Sequence, residues 1–397
     1  MGKNLQTSLL HTGDGQFYKR ANKSSSVPEV LPVYRTSVFA FDDVPSVDRI
    51  YEGEDDGYIY SRIKHPNTEA VSEIIAAADE TEAALVFSSG MAAITLSILS
   101  VVKQGDHIIS SPVLYGGVHD FLENELARFG VSVTFVDFIH ENIADFIRPE
   151  TKLIYTESIS NPLMEVPDMA AAAKVAHEHG LLFFVDNTFA TPVVVKPALL
   201  GADVVLYSAT KYLGGHSDIV AGAAAGRQEI IDKIHKTLTL YGAVLGAEDS
   251  WLLARSLRTL SLRVTAHSRN ALQVAEFLEK HPKIEKVFYP GLESSPSHKR
   301  AKAQFAPGLF GGMLSFNLRG GEKEAATVIR ELSTIKYVPS LAGTATTLSY
   351  AAKTSHRSYS PADLAAVGIT LGQLRLSVGL EQVEDIISEL NDTLAKI

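Results

Sequence analysis

The sequence predicts an α/β fold: a large domain built on a mostly parallel sheet, followed by a smaller α+β domain. Three observations predict it. Between about residues 68 and 226, short apolar runs alternate with helical patterns, as in strands joined by crossover helices. Residues 251–280 contain neither Gly nor Pro and carry apolar residues at helical spacing, which reads as one long helix leading to a second domain. Beyond it, strand and helix patterns recur on a smaller scale.

Residues 1–60 lack sustained periodicity and are rich in Ser, Pro, Asp and Gly, as in Ser24-Ser25-Ser26-Val27-Pro28. They read as an irregular N-terminal arm, long enough that it should pack on something, such as another subunit. In the large domain, residues 61–250, strands are expected at 85–87, 107–109, 131–136, 153–155, 181–185, 204–206 and 221–225. Helices are expected at 69–78, 91–102, 118–129 and 168–179. Ligands of such sheets sit at the carboxyl ends of the strands, so the chemistry is sought there. Residues 251–397 supply the connector helix and the small domain, with strands at 284–288, 313–318 and 374–378 and helices at 322–333, 362–367 and 382–396. No internal repeat or low-complexity segment interrupts this order.

Composition narrows the function classes. The chain has 397 residues, 46% hydrophobic and 21% charged, with a formal net charge of −10. No basic run is longer than a couple of residues, which argues against nucleic acid or an anionic membrane as partner. The absence of cysteine removes disulfides, thiolate nucleophiles and zinc–thiolate sites and fits a cytoplasmic location. The first twenty residues contain no apolar segment of the secretory kind, and no apolar run approaches a membrane span. His177 and His179 lie two apart on an expected helix, so their side chains diverge and a metal site is not expected.

Three strand ends carry the candidate chemistry. Lys211 follows the apolar strand Val204 to Tyr207 through Ser208-Ala209-Thr210. A lysine just past a buried strand is placed to lose its proton and attack a carbonyl, although alone it is more often a surface residue. Asp186 ends the strand Leu181 to Val185, where a carboxylate is costly unless a cation meets it; a protonated pyridine nitrogen would serve, and so would an ordinary turn role. Ser88-Ser89-Gly90-Met91 lies between a strand and a helix. A Gly turn into a helix N-terminus offers backbone N–H groups and the positive end of the helix dipole, which suit a phosphate.

Together these segments resemble the transsulfuration, or Cys/Met metabolism, family of pyridoxal phosphate enzymes. The run Ser208-Ala209-Thr210-Lys211-Tyr212-Leu213-Gly214-Gly215-His216-Ser217-Asp218 looks like the family's lysine signature, and separated motifs recur from Tyr60 to Arg375. The resemblance implies pyridoxal phosphate fold type I, the aspartate-aminotransferase-like fold, with pyridoxal 5'-phosphate as cofactor. It implies that Lys211 carries the cofactor and then shuttles protons, that Asp186 pairs with the pyridine nitrogen, and that Gly90, Met91, Ser208 and Thr210 hold the phosphate. Tyr115 would stack on the ring and take part in proton transfer, and Asn161 would meet the phenolic oxygen. Arg375 and Ser340 would bind the substrate's α-carboxylate. Tyr60 and Arg62 would reach the phosphate of a neighbouring subunit, within a homotetramer built as a dimer of dimers.

The implied activity is carbon–sulfur bond cleavage by γ- or β-elimination, releasing a thiol, ammonia and a 2-oxo acid. The alternative is γ-replacement on an activated homoserine, as in cystathionine γ-synthases and O-acylhomoserine sulfhydrylases. Departures from the pattern bear on the substrate. His65-Pro66-Asn67-Thr68 replaces the family's usual Gly-Asn-Pro-Thr, which concerns the local turn. Gly117 stands where methionine lyases often carry a cysteine. Ile59 and Thr344-Ala345-Thr346 stand where family members that handle cystathionine tend to carry acids. Without a carboxylate there, a distal ammonium is left unpaired, so a neutral or acylated side chain is expected to suit the site better than cystathionine. The acids Glu52, Glu54, Asp55 and Asp56 offer a rescue only if the arm folds over the entrance.

Overall fold

The structure, a computed structural model, describes residues 4–13, 28–354, 357, 364 and 368–397. Most of the Ser24–Pro28 stretch lies outside the described residues, and of the expected helix 362–367 only Leu364 is among them.

The seven strands expected in the first part of the chain all form: β1 (Ala83–Phe87), β2 (His107–Ser110), β3 (Ser132–Phe135), β4 (Thr151–Glu157), β5 (Leu182–Asp186), β6 (Val204–Tyr207) and β7 (Gly222–Gly226). They make one sheet in the order β1-β7-β6-β5-β4-β2-β3. Strands β2 to β6 pair in parallel, and β7 runs against both β6 and β1. The central strands are buried over nearly every residue, as a sheet covered on both faces requires. The covering helices include Pro66–Asp79, Gly90–Leu99, Met169–Glu178 and Gln228–Tyr241. The last of these was not expected from the sequence. Its inward residues Ile230, Ile231, Ile234 and Leu238 are spaced at 1, 3 and 4 and are buried, a helical signal hidden behind a polar start.

A second, five-stranded sheet has the order β10-β11-β12-β9-β8. Its strands are β8 (Ile284–Phe288), β9 (Met313–Leu318), β10 (Lys336–Tyr337), β11 (Thr347–Ser349) and β12 (Gln373–Ser377). Strands β10 and β11 were not expected; at two and three residues they are too short to show periodicity. The helices Glu322–Glu331 and Val383–Leu394 accompany the sheet.

Three expectations are corrected. The single helix over 251–280 is two helices, Ala247–Leu257 and Leu260–Lys280. The Ser256 carbonyl, at the break, accepts the Arg263 guanidinium at 2.8 Å, and Arg258 Nη1 reaches the carbonyls of Leu9 and Thr12. The helix over 118–129 runs over 116–128 and contains a π-turn at Phe121–Glu125. The arm over 1–60 contains two short helices, Leu5–His11 and Val44–Tyr51, capped by the side chains of Asn4 and Asp43. Part of the arm packs on its own chain. Asn67, at the start of the helix Pro66–Asp79, accepts from Tyr34 N at 2.8 Å and donates to the Pro32 carbonyl at 2.9 Å. Trp251 Nε1 donates to the Leu31 carbonyl.

Candidate active site

At the carboxyl ends of β4, β5 and β6 the backbone stops and polar side chains begin. Register pairs Glu157 with Asp186, and Asp186 with Leu206. The ladder therefore fixes two carboxylates side by side, with Ser208 to Lys211 just beyond. A cavity of about 560 Å³ opens over these ends. It is lined by nine of the residues singled out from the sequence: Gly90, Met91, Tyr115, Asn161, Asp186, Ser208, Thr210, Lys211 and Arg375.

Lys211 is half-buried, and its Nζ donates to Ser340 Oγ at 2.9 Å. Burial, aided by the charge of Arg375, brings its pKa down to about 8. A fraction of the amine is thus neutral near pH 7 and able to act as nucleophile or base. Asp186 is buried. Its carboxylate accepts the Thr188 backbone N–H at 2.8 Å, yet burial still raises its pKa, so it has a strong demand for a cation. Thr188 ties this wall together, because its Oγ1 accepts from Ser208 N at 2.8 Å.

The helix Gly90–Leu99 begins at the same rim, with Ser89 Oγ accepting from Ala92 N at 3.1 Å. A Cβ on Gly90 would stand 2.7 to 2.8 Å from Ser208 Cβ, Cα and Oγ. Only glycine lets the helix start approach Ser208 this closely. The Ser208 hydroxyl has no partner among the described residues, whereas Thr210 Oγ1 exchanges two hydrogen bonds with the Ala221 backbone, at 2.9 and 3.1 Å.

On the opposite side lies Arg375, on β12 and buried. It donates from Nη1 to Asn161 Oδ1 at 2.6 Å and from Nε to Ser349 Oγ at 3.0 Å. With its Oδ1 occupied, Asn161 keeps its amide N–H₂ as a donor toward the cavity. Tyr115 stands at a helix start with a half-exposed ring, which passes within 2.9 Å of where a Cβ on Gly117 would lie.

Glu157 also lines the cavity, and sequence reasoning passed over it. Only 7% exposed, it accepts the Tyr115 backbone N–H at 2.7 Å. Burial and the neighbouring Asp186 raise its pKa. The signal that could have found it is positional, since it ends β4 as Asp186 ends β5. Lys353 and Arg357, which also line the cavity, were likewise missed.

Tyr60 and Arg62 are not brought to this cavity. Tyr60 is exposed, the Arg62 guanidinium lies 5.6 Å from its ring centroid, and Arg62 Nη1 donates to the Thr239 carbonyl. Ser340 is not among the lining residues, and among the described residues its side chain meets the site through Lys211. Of the region 344–346, Thr346 binds Glu381 through both its N–H and its hydroxyl, and none of the three lines the cavity. Asp56 pairs with Lys64 at 2.5 Å. His177 meets Asp203 at 3.2 Å and His179 meets its own helix. No group of three metal-ligating side chains occurs among the described residues, and none of their helices is long and apolar enough to cross a membrane.

Pyridoxal phosphate fits these residues. At the rim the helix start at Gly90 packs against Ser208 too closely for a Cβ, and a helix start offers backbone N–H groups without intrahelical partners. Asp186 presents a buried carboxylate in want of a cation, and Lys211 presents an amine of lowered pKa in the same cavity.

Comparison with known proteins agrees. The chain is 44% identical over 369 residues to an L-methionine gamma-lyase of Porphyromonas gingivalis, covering 91% of this chain and 92% of that protein. It is 42% identical over 373 residues to the L-methionine gamma-lyase of Fusobacterium nucleatum subsp. nucleatum, covering 92% and 93%. It is 38% identical over 369 residues to a cystathionine gamma-lyase of Bacillus subtilis, covering 92% and 94%. The model of the Cys/Met metabolism PLP-dependent enzymes matches residues 6–395, and the chain belongs to that family.

Proposed function

We propose that the protein is a pyridoxal-phosphate-dependent carbon–sulfur lyase of fold type I that cleaves a sulfur-containing amino acid by elimination. The observation that carries the reading is the placement of Lys211, Asp186 and Arg375 around one cavity, in a chain whose relatives bear lyase names. Those names favour elimination over replacement.

Arg375 binds the substrate's α-carboxylate, fork to fork, and Asn161 holds the guanidinium in position. Lys211 would hold the cofactor, and its free amine would take the proton from the substrate's Cα. Asp186 would pair with the protonated ring nitrogen, while Gly90, Met91, Ser208 and Thr210 would hold the phosphate. Bound pyridoxal phosphate supplies the electron sink for the pair left at Cα. Tyr115 would lie against the ring and assist proton transfer. Loss of the thiol from Cβ leads with water to ammonia and pyruvate. Loss from Cγ requires removal of a β-proton as well and leads to 2-oxobutanoate.

Tyr60 and Arg62, exposed and outside their own chain's cavity, complete the site of a neighbouring subunit, within a homotetramer working in the cytoplasm. Incubating the loaded enzyme with methionine, S-alkylcysteines and O-acetylhomoserine, and measuring thiol, ammonia and 2-oxo acid, tests the activity. Stoichiometric 2-oxo acid supports elimination, whereas a thioether product formed only when a thiol is added would establish replacement. Mixed dimers of Arg62→Ala and Lys211→Ala chains should regain activity; hybrids without it would place Tyr60 and Arg62 outside the neighbour's site.

A further inference from the structure

The cavity's ionisable lining is distributed unevenly. Its acids among the described residues, Glu157 and Asp186, lie on the floor at the strand ends. The outer wall, formed by the connections around β10 and β11, carries the exposed Lys353 and Arg357 together with the apolar Pro339 and Leu341. The chain connects this outer wall to the α-carboxylate site over a short path. Ser349, which receives Arg375 Nε, is followed four residues later by Lys353 at the end of the 3-10 turn Ala351–Lys353.

Lys353 is held by Glu322, Nζ to Oε1 at 2.6 Å, with both side chains about half exposed. An exposed pair of this kind contributes little net stability, so the ammonium can turn to a ligand carboxylate at small cost. The Arg357 side chain has no partner among the described residues. An ammonium placed here would meet two like charges, whereas a carboxylate would meet two opposite ones in a partly desolvated setting.

We propose that this outer wall recognises an anionic group at the distal end of the substrate, a carboxylate on the thiol that leaves. The preferred substrate class is a thioether amino acid that releases a mercaptocarboxylate, in place of one with a neutral alkylthiol. The inference rests on the lyase reading for the identity of the leaving group, but not for the existence of the anion site. Gly90 begins a helix of the large domain, whereas Lys353 and Arg357 follow β11, the strand paired with the one that carries Arg375, so their charge is assigned to the substrate rather than to the cofactor phosphate.

The test uses the loaded enzyme and two amino acids of equal length that cannot undergo elimination of a thiol. L-2-aminoadipate ends in a carboxylate and L-norleucine ends in a methyl. Dissociation constants are read from the change in the visible absorption band on titration. The expected result is about tenfold tighter binding of aminoadipate, or about 1.4 kcal/mol, falling to about twofold or less in the Lys353→Ala/Arg357→Ala double variant and weakening with added salt. Equal affinities in the unmodified enzyme, or a preference that survives the double substitution, would overturn the proposal. So would a loss of pyridoxal phosphate affinity in the double variant with the ligand preference intact, which would give the cations to the cofactor. No turnover of any sulfur amino acid would defeat the lyase reading and leave this binding result standing.

Discussion

The two walls of the cavity are built on different principles. The inner wall consists of strand ends and one helix start, and each residue is pinned by backbone pairing. Glu157 is set against Asp186 by the β4–β5 ladder, Ser208 is tied to Thr188, and the Gly90 backbone is packed against Ser208. The outer wall consists of connections around β10 and β11, where Pro339, Leu341, Lys353 and Arg357 are placed by turns and long side chains. Proton transfer needs atoms held to a fraction of an ångström, and a parallel ladder supplies that. Substrate choice needs only charge and shape at the right distance, which loops can vary without disturbing the ladder.

The comparison predicts that inner-wall substitutions act on the chemistry itself. Lys211→Ala should have the largest effect, a fall in kcat of about a thousandfold or more, with no lysine labelled when the loaded protein is treated with borohydride. Label recovered on a different lysine would remove Lys211 from the centre of the site. Gly90→Ala should be smaller. Its Cβ would lie 2.8 Å from the Ser208 backbone Cα, and relieving that overlap moves the helix start from the cradle. A cost of about 1–3 kcal/mol should appear mainly as weaker cofactor binding, measured by equilibrium dialysis. Unchanged affinity would show that the cradle tolerates the shift.

The same division explains what could be read from the sequence. All seven strands of the large sheet were legible because each is an apolar run bounded by turns. Asp186 and Lys211 were legible because the first ends such a run with a charge and the second lies just past one. Glu157 was not, because its role depends on lying beside Asp186, a consequence of strand order that no local pattern states. Lys353 and Arg357 were invisible for a related reason, since a cation in a polar connection looks like any solvated residue until the cavity is seen. The break at Arg258 was hidden because no Gly or Pro marks it; the carbonyl of Ser256 is drawn off by Arg263.

A third prediction uses the titration of Lys211 in the cofactor-free protein. Its ordinary pKa of 10.5 is lowered to about 8 in the fold, mainly by burial. Between about pH 8 and pH 10.5 the unfolded chain therefore holds a proton that the folded chain has released. Stability from this group rises with pH across that window, and the penalty is fully present below it. Lys211→Met abolishes the penalty. The variant's advantage in Tm over the unsubstituted apo-protein should be largest below pH 8 and fade toward pH 10.5. A constant difference would mean that the lysine is solvated in the apo form.

Ser340→Ala should have the smallest effect, because Ser340 comes from the outer segment and reaches the chemistry through one hydrogen bond. Its hydroxyl accepts from Lys211 Nζ at 2.9 Å, an interaction that favours the protonated amine. Removing it costs the enzyme a positioning contact of about 1 kcal/mol, so kcat should fall by about fivefold. The same change lowers the lysine's pKa, so the acid limb of the pH–rate profile should move to lower pH while its plateau drops. The two shifts have opposite consequences at acidic pH, and the variant's deficit should narrow there. Ser340→Thr, which keeps the hydroxyl, should restore the position of the limb. A lower plateau with the limb unmoved in Ser340→Ala would mean that Ser340 only shapes the loop, and that the inner wall sets the properties of Lys211 without help from the outer one.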